Sequence, residues 1–277
     1  MSNQNTLSGL STAIRTSFSN LDKQINKSDE YTKPEFTIKI ANTLEEREMV
    51  FQLAYQIYLE KGFIKKNFSE WLIQNYDIKN ETVILIVLDK NQKLAGSLTL
   101  VFSEDGELPA EKIYNQEISN LKLHSKKLVE ISRLVVGHQY RNSKDVLCLL
   151  INYLMIYSFH VKEYSSLVIQ VNPRHILYYK VLLNFDEIGG LKSCPSVQNA
   201  PAVLLHLPLD RYQSEINRWN NLNSLTKKER SLYPYFLKPA QEKLVAHYLQ
   251  RQFKQMSAEE KLYFGFSESG IIRAVCV

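Results

Sequence analysis

The sequence predicts an α/β fold: a mixed central sheet flanked by helices, followed by a helical C-terminal extension. Three observations carry that prediction. Short apolar or alternating runs recur between segments of helical period. Two strand–helix units follow one another, after Glu130 and after Leu167, which favours parallel strand neighbours there. With 44% hydrophobic and 11% aromatic residues among 277, the chain has enough apolar mass for a large core.

The elements follow in order. Residues 1–34 are polar and close on a linker-like "NKSDEYTKP", although Leu7, Leu10, Ile14, Phe18 and Leu21 keep near-helical spacing. "FTIKIA" alternates as a strand, and "TLEEREMVFQLAYQIYLEKG" reads as an amphipathic helix closed by Gly62. A polar stretch holding Trp71, Tyr76 and Asp77 leads to "TVILIVLD", a buried strand. "NQK" then turns the chain into "LAGSLTLVF" as a hairpin. "LPAEKIYNQEISNLK" is a helix with Pro109 at its start. "KLVEISRLVVG" is a strand and "SKDVLCLLINYLMIYSFHVK" an apolar helix. The stretch from Val168 to Phe185 gives a further strand and helix, joined by Asn-Pro-Arg-His. "FDEIGG" and "APAVLLHLPL" complete the sheet. These elements occupy residues 35–210. Residues 211–277 form the helical extension, with capping boxes at Thr226–Glu229 and Ser257–Glu260.

Composition excludes several function classes. Nine glycines are too few for glycine-rich nucleotide loops, and Cys148, Cys194 and Cys276 form neither a C-x-x-C pair nor an even disulfide set. The N-terminus lacks a secretory pattern, and no apolar run reaches the roughly 18 residues of a membrane span. A cytoplasmic protein is the expectation. The net charge of +5 resides in the extension, where eleven Lys/Arg face six Asp/Glu. Such an appendage suggests an acidic partner or a solvated helical face. Nucleic acid ranks last, because the basic residues and aromatics there keep helical core spacing rather than forming a stacking surface.

Four stretches, spanning Thr37 to Asp210, resemble the long-chain N-acyl amino acid synthases. These are relatives of the acyl-homoserine-lactone synthases within the Gcn5-related N-acyltransferase (GNAT) superfamily. They are "AGSLTLVF" with "LPAEKIYNQEISNLK", "EISRLVV", "VNPRHILYYKVLLNF" and "PSVQNAPAVLLHLPL". The resemblance implies a GNAT-like fold and transfer of a fatty acyl chain from acyl carrier protein to the α-amino group of an amino acid. It implies no permanently bound cofactor; acyl-phosphopantetheine on an acidic acyl carrier protein is the donor substrate, and a free amino acid is the acceptor. A homoserine-lactone-type synthase and a non-catalytic acyl-carrier binder are the alternatives.

An amine attacking a thioester needs a base, oxyanion donors and help for the leaving thiolate. Glu130 in "LVEISRLVV" is the candidate base, because burial amid apolar residues raises a carboxyl toward neutrality; a strand-end salt bridge with Arg133 is the competing reading. Strict alternation sets Glu130, Ser132, Leu134 and Val136 on one face, with Ile131, Arg133 and Val135 on the other. Arg133 is expected to hold a carboxylate or brace the site. "GHQYRNSKDV" stands where this fold carries its pyrophosphate loop but lacks that loop's later glycines. Arg141 and Asn142, with Lys144, are its candidate contacts for a single phosphate; a plain helix-capping connection at Ser143 is the competing reading. Asn172 and Pro173 are expected to start the next helix, with Arg174 and His175 turned toward a cleft. By the resemblance, Tyr179 faces the departing thiolate; a core ring with a satisfied hydroxyl is the competing reading for both tyrosines and the preferred one for Tyr178. Asp77 matches the segment that shapes the amine pocket in the homoserine-lactone relatives and is a candidate for orienting an ammonium, against a plain turn aspartate. Val135 joins Leu98, Leu100, Leu150 and Leu154 as expected walls of an acyl tunnel, with plain core packing as the competing reading of all five. The scattered histidines have no metal-binding spacing.

Overall fold

The computed structural model describes residues 35–124, 127–221, 230–267 and 270–271. The helical spacing at Leu7–Leu21, the capping box at Thr226–Glu229 and Cys276 lie outside them.

Seven strands form one sheet in the order β1-β2-β3-β4-β5-β7-β6. They are β1 (Phe36–Ile40), β2 (Val83–Asp89), β3 (Leu94–Phe102), β4 (Leu128–Val136), β5 (Ser166–Val171), β6 (Asp186–Cys194) and β7 (Ala200–Pro208). All neighbours are antiparallel except β4 and β5. The expected mixed sheet is therefore present, with its parallel pair at the first of the two strand–helix units; the second leads to β6, which antiparallel β7 separates from β5, so no parallel neighbours form there. The helices are α1 (Leu44–Glu60), α2 (Glu111–His124), α3 (Lys144–Ile156), α4 (Ile176–Leu183), α5 (Leu209–Asn220), α6 (Pro239–Gln252) and α7 (Ala258–Tyr263). α2 starts two residues after Pro109 and kinks at Tyr114.

Side-chain alternation sorts the core to the two faces of the sheet. In β2, Val83, Leu85 and Val87 join the main cluster with α3 residues such as Leu150 and Leu154. Ile84, Ile86 and Leu88 pack instead with Val50 and Phe51 of α1. Tyr114 and Ile118 of α2 cover Leu128, Val168 and Leu204 on that same side. α3 is apolar almost all round because it is the central core helix. Contrary to the expectation that no run reaches membrane-span length, it forms with the π turn Tyr157–Val161 an 18-residue stretch long and apolar enough to cross a membrane, but 67% of that stretch is buried within the fold.

The extension is built onto this body. Tyr212, Ile216, Tyr233, Phe236, Val245 and Leu249 all belong to the main cluster. Its far end crosses to the other face, where Phe264 packs edge-on against Phe51 at 5.0 Å. Glu260, the second half of the capping box at Ser257, also pairs with Arg47 of α1.

Candidate active site

The site originates where β4 and β5 part. Their ladder has four pairs, from Leu128↔Ser166 to Ile131↔Ile169. Beyond Ile131, β4 pairs only with β3, as far as Val136↔Gly96. Beyond Ile169, β5 pairs only with β7, as far as Val171↔Val203. Two facing strand edges are therefore left without each other's hydrogen bonds, and a cleft of about 440 Å³ opens between them. It passes through the sheet. Glu130, Ser132, Tyr76 and Lys112 line it on the α2 side, and Leu134, Leu147, Tyr178 and Tyr179 on the α3–α4 side.

Glu130 lies at the vertex, 1% exposed and in the lining. Its Oε2 accepts from the Ala110 N–H at 2.7 Å and its Oε1 from the Gln170 side-chain amide Nε2 at 2.8 Å. Burial raises its pKa to about 7, with the two donors opposing that shift and Glu111 adding to it. Both partners are neutral. The competing salt bridge to Arg133 is not made.

Arg133 pairs instead with Asp77, donates to the Leu72 carbonyl at 2.7 Å, and lies 5.2 Å from the Tyr76 ring centroid. The cause is a bulge. Arg133 adopts φ +47°, and the β3–β4 register shifts between Ser97 and Thr99. The expected alternation is thus corrected. Leu134 and Val136 join Ile131 in the main cluster, while Ser132 and Arg133 both reach Tyr76, the former through a 3.0 Å hydroxyl–hydroxyl hydrogen bond. Asp77 is 3% exposed, accepts from the Gln74 N–H at 2.6 Å, and stands behind Arg133 outside the cleft lining.

At the other strand end, Asn172 caps a 3₁₀ turn over Pro173–His175 that runs into α4, as its sequence suggests. Arg174 and His175 both line the cleft, and Arg174 Nε donates to His175 Nε2 at 3.1 Å. Burial, Arg174 and Lys61 lower the His175 pKa, so the ring is neutral near pH 7. Tyr179 is 7% exposed and lines the cleft, and burial raises its pKa. Tyr178 lines it too, edge-on to Tyr179 at 5.4 Å. Asn184 ends α4 in the left-handed region, φ +60°.

Other candidates stand apart from the cleft. Arg141 is bound to Glu60 at the end of α1, 3.3 Å away, and Asn142 is exposed beside it. Ser143 is the N-cap of α3, without a side-chain capping bond. Val135, Leu98, Leu100, Leu150 and Leu154 are core residues outside the lining. Among the described residues, no group of three His, Cys, Asp or Glu is placed to hold a metal.

Sequence reasoning did not single out Gln170, Lys112 or the Ala110 N–H. Only Gln170 gave a signal, as the lone polar residue inside the apolar strand "LVIQV". The Ala110 N–H reaches Glu130 through a tertiary approach of 20 residues' separation.

The family profile described as N-acyl amino acid synthase FeeM matches residues 49–208, more than half of the chain. The chain belongs to the FeeM family. Among solved structures it is similar to FeeM, an N-acyl amino acid synthase from uncultured soil microbes. That match has a TM-score of 0.57 and 22% identity over 65% of this chain and 93% of FeeM. It is also similar to BjaI, a CoA-dependent acyl-homoserine lactone synthase (TM-score 0.50, 14% identity, 68% and 91% covered). TofI, solved with an inhibitor and MTA, has a TM-score of 0.50 at 11% identity, with 63% and 91% covered. At these identities the solved structures share the fold, which is GNAT-like. No curated protein sequence matches the chain significantly. As a FeeM family member with this fold, the protein is an acyltransferase.

Proposed function

We propose that the protein moves a long-chain fatty acyl group from the phosphopantetheine thioester of an acyl carrier protein to the α-amino group of a free amino acid. The observation that carries this reading is Glu130. It is a buried carboxyl with neutral partners and a pKa of about 7, at the vertex of a cleft that opens through the sheet. A group with that pKa is half ionised at neutrality, and its carboxylate takes a proton from the acceptor's ammonium, freeing the lone pair with which the nitrogen then attacks the thioester carbonyl.

The remaining needs are met nearby. The free edges of β4 and β5 beyond Ile131 and Ile169 offer backbone hydrogen bonds to an extended, amide-bearing pantetheine arm and to a thioester oxyanion. The apolar half of the cleft, at Leu134, Leu147 and Tyr178, suits the acyl chain. Tyr179 retains its phenolic proton and donates to the sulfur as the thiolate leaves. Arg174, beside a neutral His175, is the cation available to the arm's phosphate. Asp77 acts at one remove by fixing Arg133. Donor and acceptor both belong to the cytoplasm, and Cys148 and Cys194 are free thiols.

Expression in a bacterial host, with mass spectrometry of lipid extracts, tests the reading. The intact sequence should yield an amide-linked fatty acyl amino acid that Glu130→Gln does not. Equal yields from both, or no acylated amino acid from either, overturn it.

A further inference from the structure

We propose that Lys112 binds the α-carboxylate of the acceptor, and that it thereby makes the enzyme select amino acids over simple amines. The inference rests on the amino-acid acceptor proposed above and identifies the group that recognises it.

An amino acid brings its own carboxylate into a cleft whose base, Glu130, must be ionised to work. Two carboxylates at close range in a partly desolvated cleft repel unless a cation stands with them. The cleft lining contains three permanent cations among the described residues: Lys112, Arg133 and Arg174. Arg133 is consumed by Asp77 and by the Leu72 carbonyl, and its side chain is 4% exposed. Arg174 lies across the sheet in the turn leading to α4, bonded to His175.

Lys112 remains. It sits in the first turn of α2, two residues from Ala110, whose N–H holds Glu130. It is exposed, and no ion pair engages it among the described residues. Its acidic neighbour Glu111 is occupied by Lys122 at 2.7 Å, and Glu117 by Lys192 at 2.7 Å. The ammonium is thus the one uncommitted cation on the side of the cleft where the amine must arrive. A long flexible stem lets it follow acceptors of different side chain, so it reads the carboxylate common to all amino acids.

Steady-state kinetics of the full chain provides the test, with a dodecanoyl thioester donor. The acceptors are the proteinogenic amino acid that the wild type uses best and the amide of that amino acid. A charge-assisted contact of this kind corresponds to a KM change of order 10-fold. Lys112→Met should raise KM for the amino acid by about that factor with kcat little altered. Lys112→Glu should raise it further, and Lys112→Arg should restore it. For the amide, whose carboxylate is gone, wild type and Lys112→Met should have the same KM. An unchanged KM for the amino acid in Lys112→Met, or an equal loss with acid and amide, overturns the Lys112 assignment alone. A wild type that acylates none of the twenty amino acids overturns the acceptor reading, and the Lys112 assignment with it.

Discussion

At Glu130, loss of solvent pushes the carboxyl up to about 7 while the Ala110 N–H and the Gln170 amide fix both oxygens. The same shift has a cost to the fold. A carboxyl whose folded pKa is raised stabilises the protein most below its ordinary pKa of 4.5, and that contribution is lost as pH rises through about 7. The interval corresponds to roughly 3 kcal/mol. Wild type should therefore lose about that much stability relative to Glu130→Gln between pH 4 and pH 8, as measured by urea denaturation of both. Parallel curves would mean that Glu130 is not desolvated. Removing a general base typically costs on the order of 10²–10⁴-fold in rate, and Glu130→Gln should fall within that range.

At the scale of elements, the β4 bulge turns a run of nine strand residues into a site. With Arg133 at φ +47°, its guanidinium reaches Asp77 rather than Glu130, leaving the base without a counter-cation. Asp77→Asn strips the partner from a buried charge and should cost about 3–5 kcal/mol in denaturant unfolding; a loss under 1 kcal/mol would show that the pair is not buried in solution. The bulge was not legible in the sequence. Arg is no marker of positive φ, so "LVEISRLVV" gave only its alternation, and alternation assigned Arg133, Leu134, Val135 and Val136 to the wrong faces. Local signals fared better: Asn172 before Pro173, Asn184 at a left-handed helix end, and the Ser257–Glu260 box each have one cheap backbone solution. Gln170 and Lys112 escaped because their roles depend on how strands 40 residues apart separate and how α2 approaches them.

The whole molecule is a sheet with a gap, held from both faces. The extension is part of that hold: Tyr212, Tyr233 and Leu249 lie in the main core, and Phe264 lies against α1. A chain ending at Asp210 exposes these contacts and should be recovered only as insoluble material; a soluble, cooperatively unfolding truncation would contradict this. The extension's exposed cations, among them Arg230, Lys238 and Arg251, are also where we expect an acidic carrier protein to dock. Reversing all three to Glu should raise KM for the acyl carrier protein and flatten its salt dependence. Unchanged values would place docking elsewhere. The central claim, that a cleft between β4 and β5 sets a neutral-pKa carboxylate beside the incoming amine, is tested most directly by the pH dependence of kcat/KM for amide formation by the purified full chain. Activity should rise with pH through an inflection near 7 that Glu130→Gln lacks; a profile without that inflection in wild type, or with the same inflection in the variant, would contradict it.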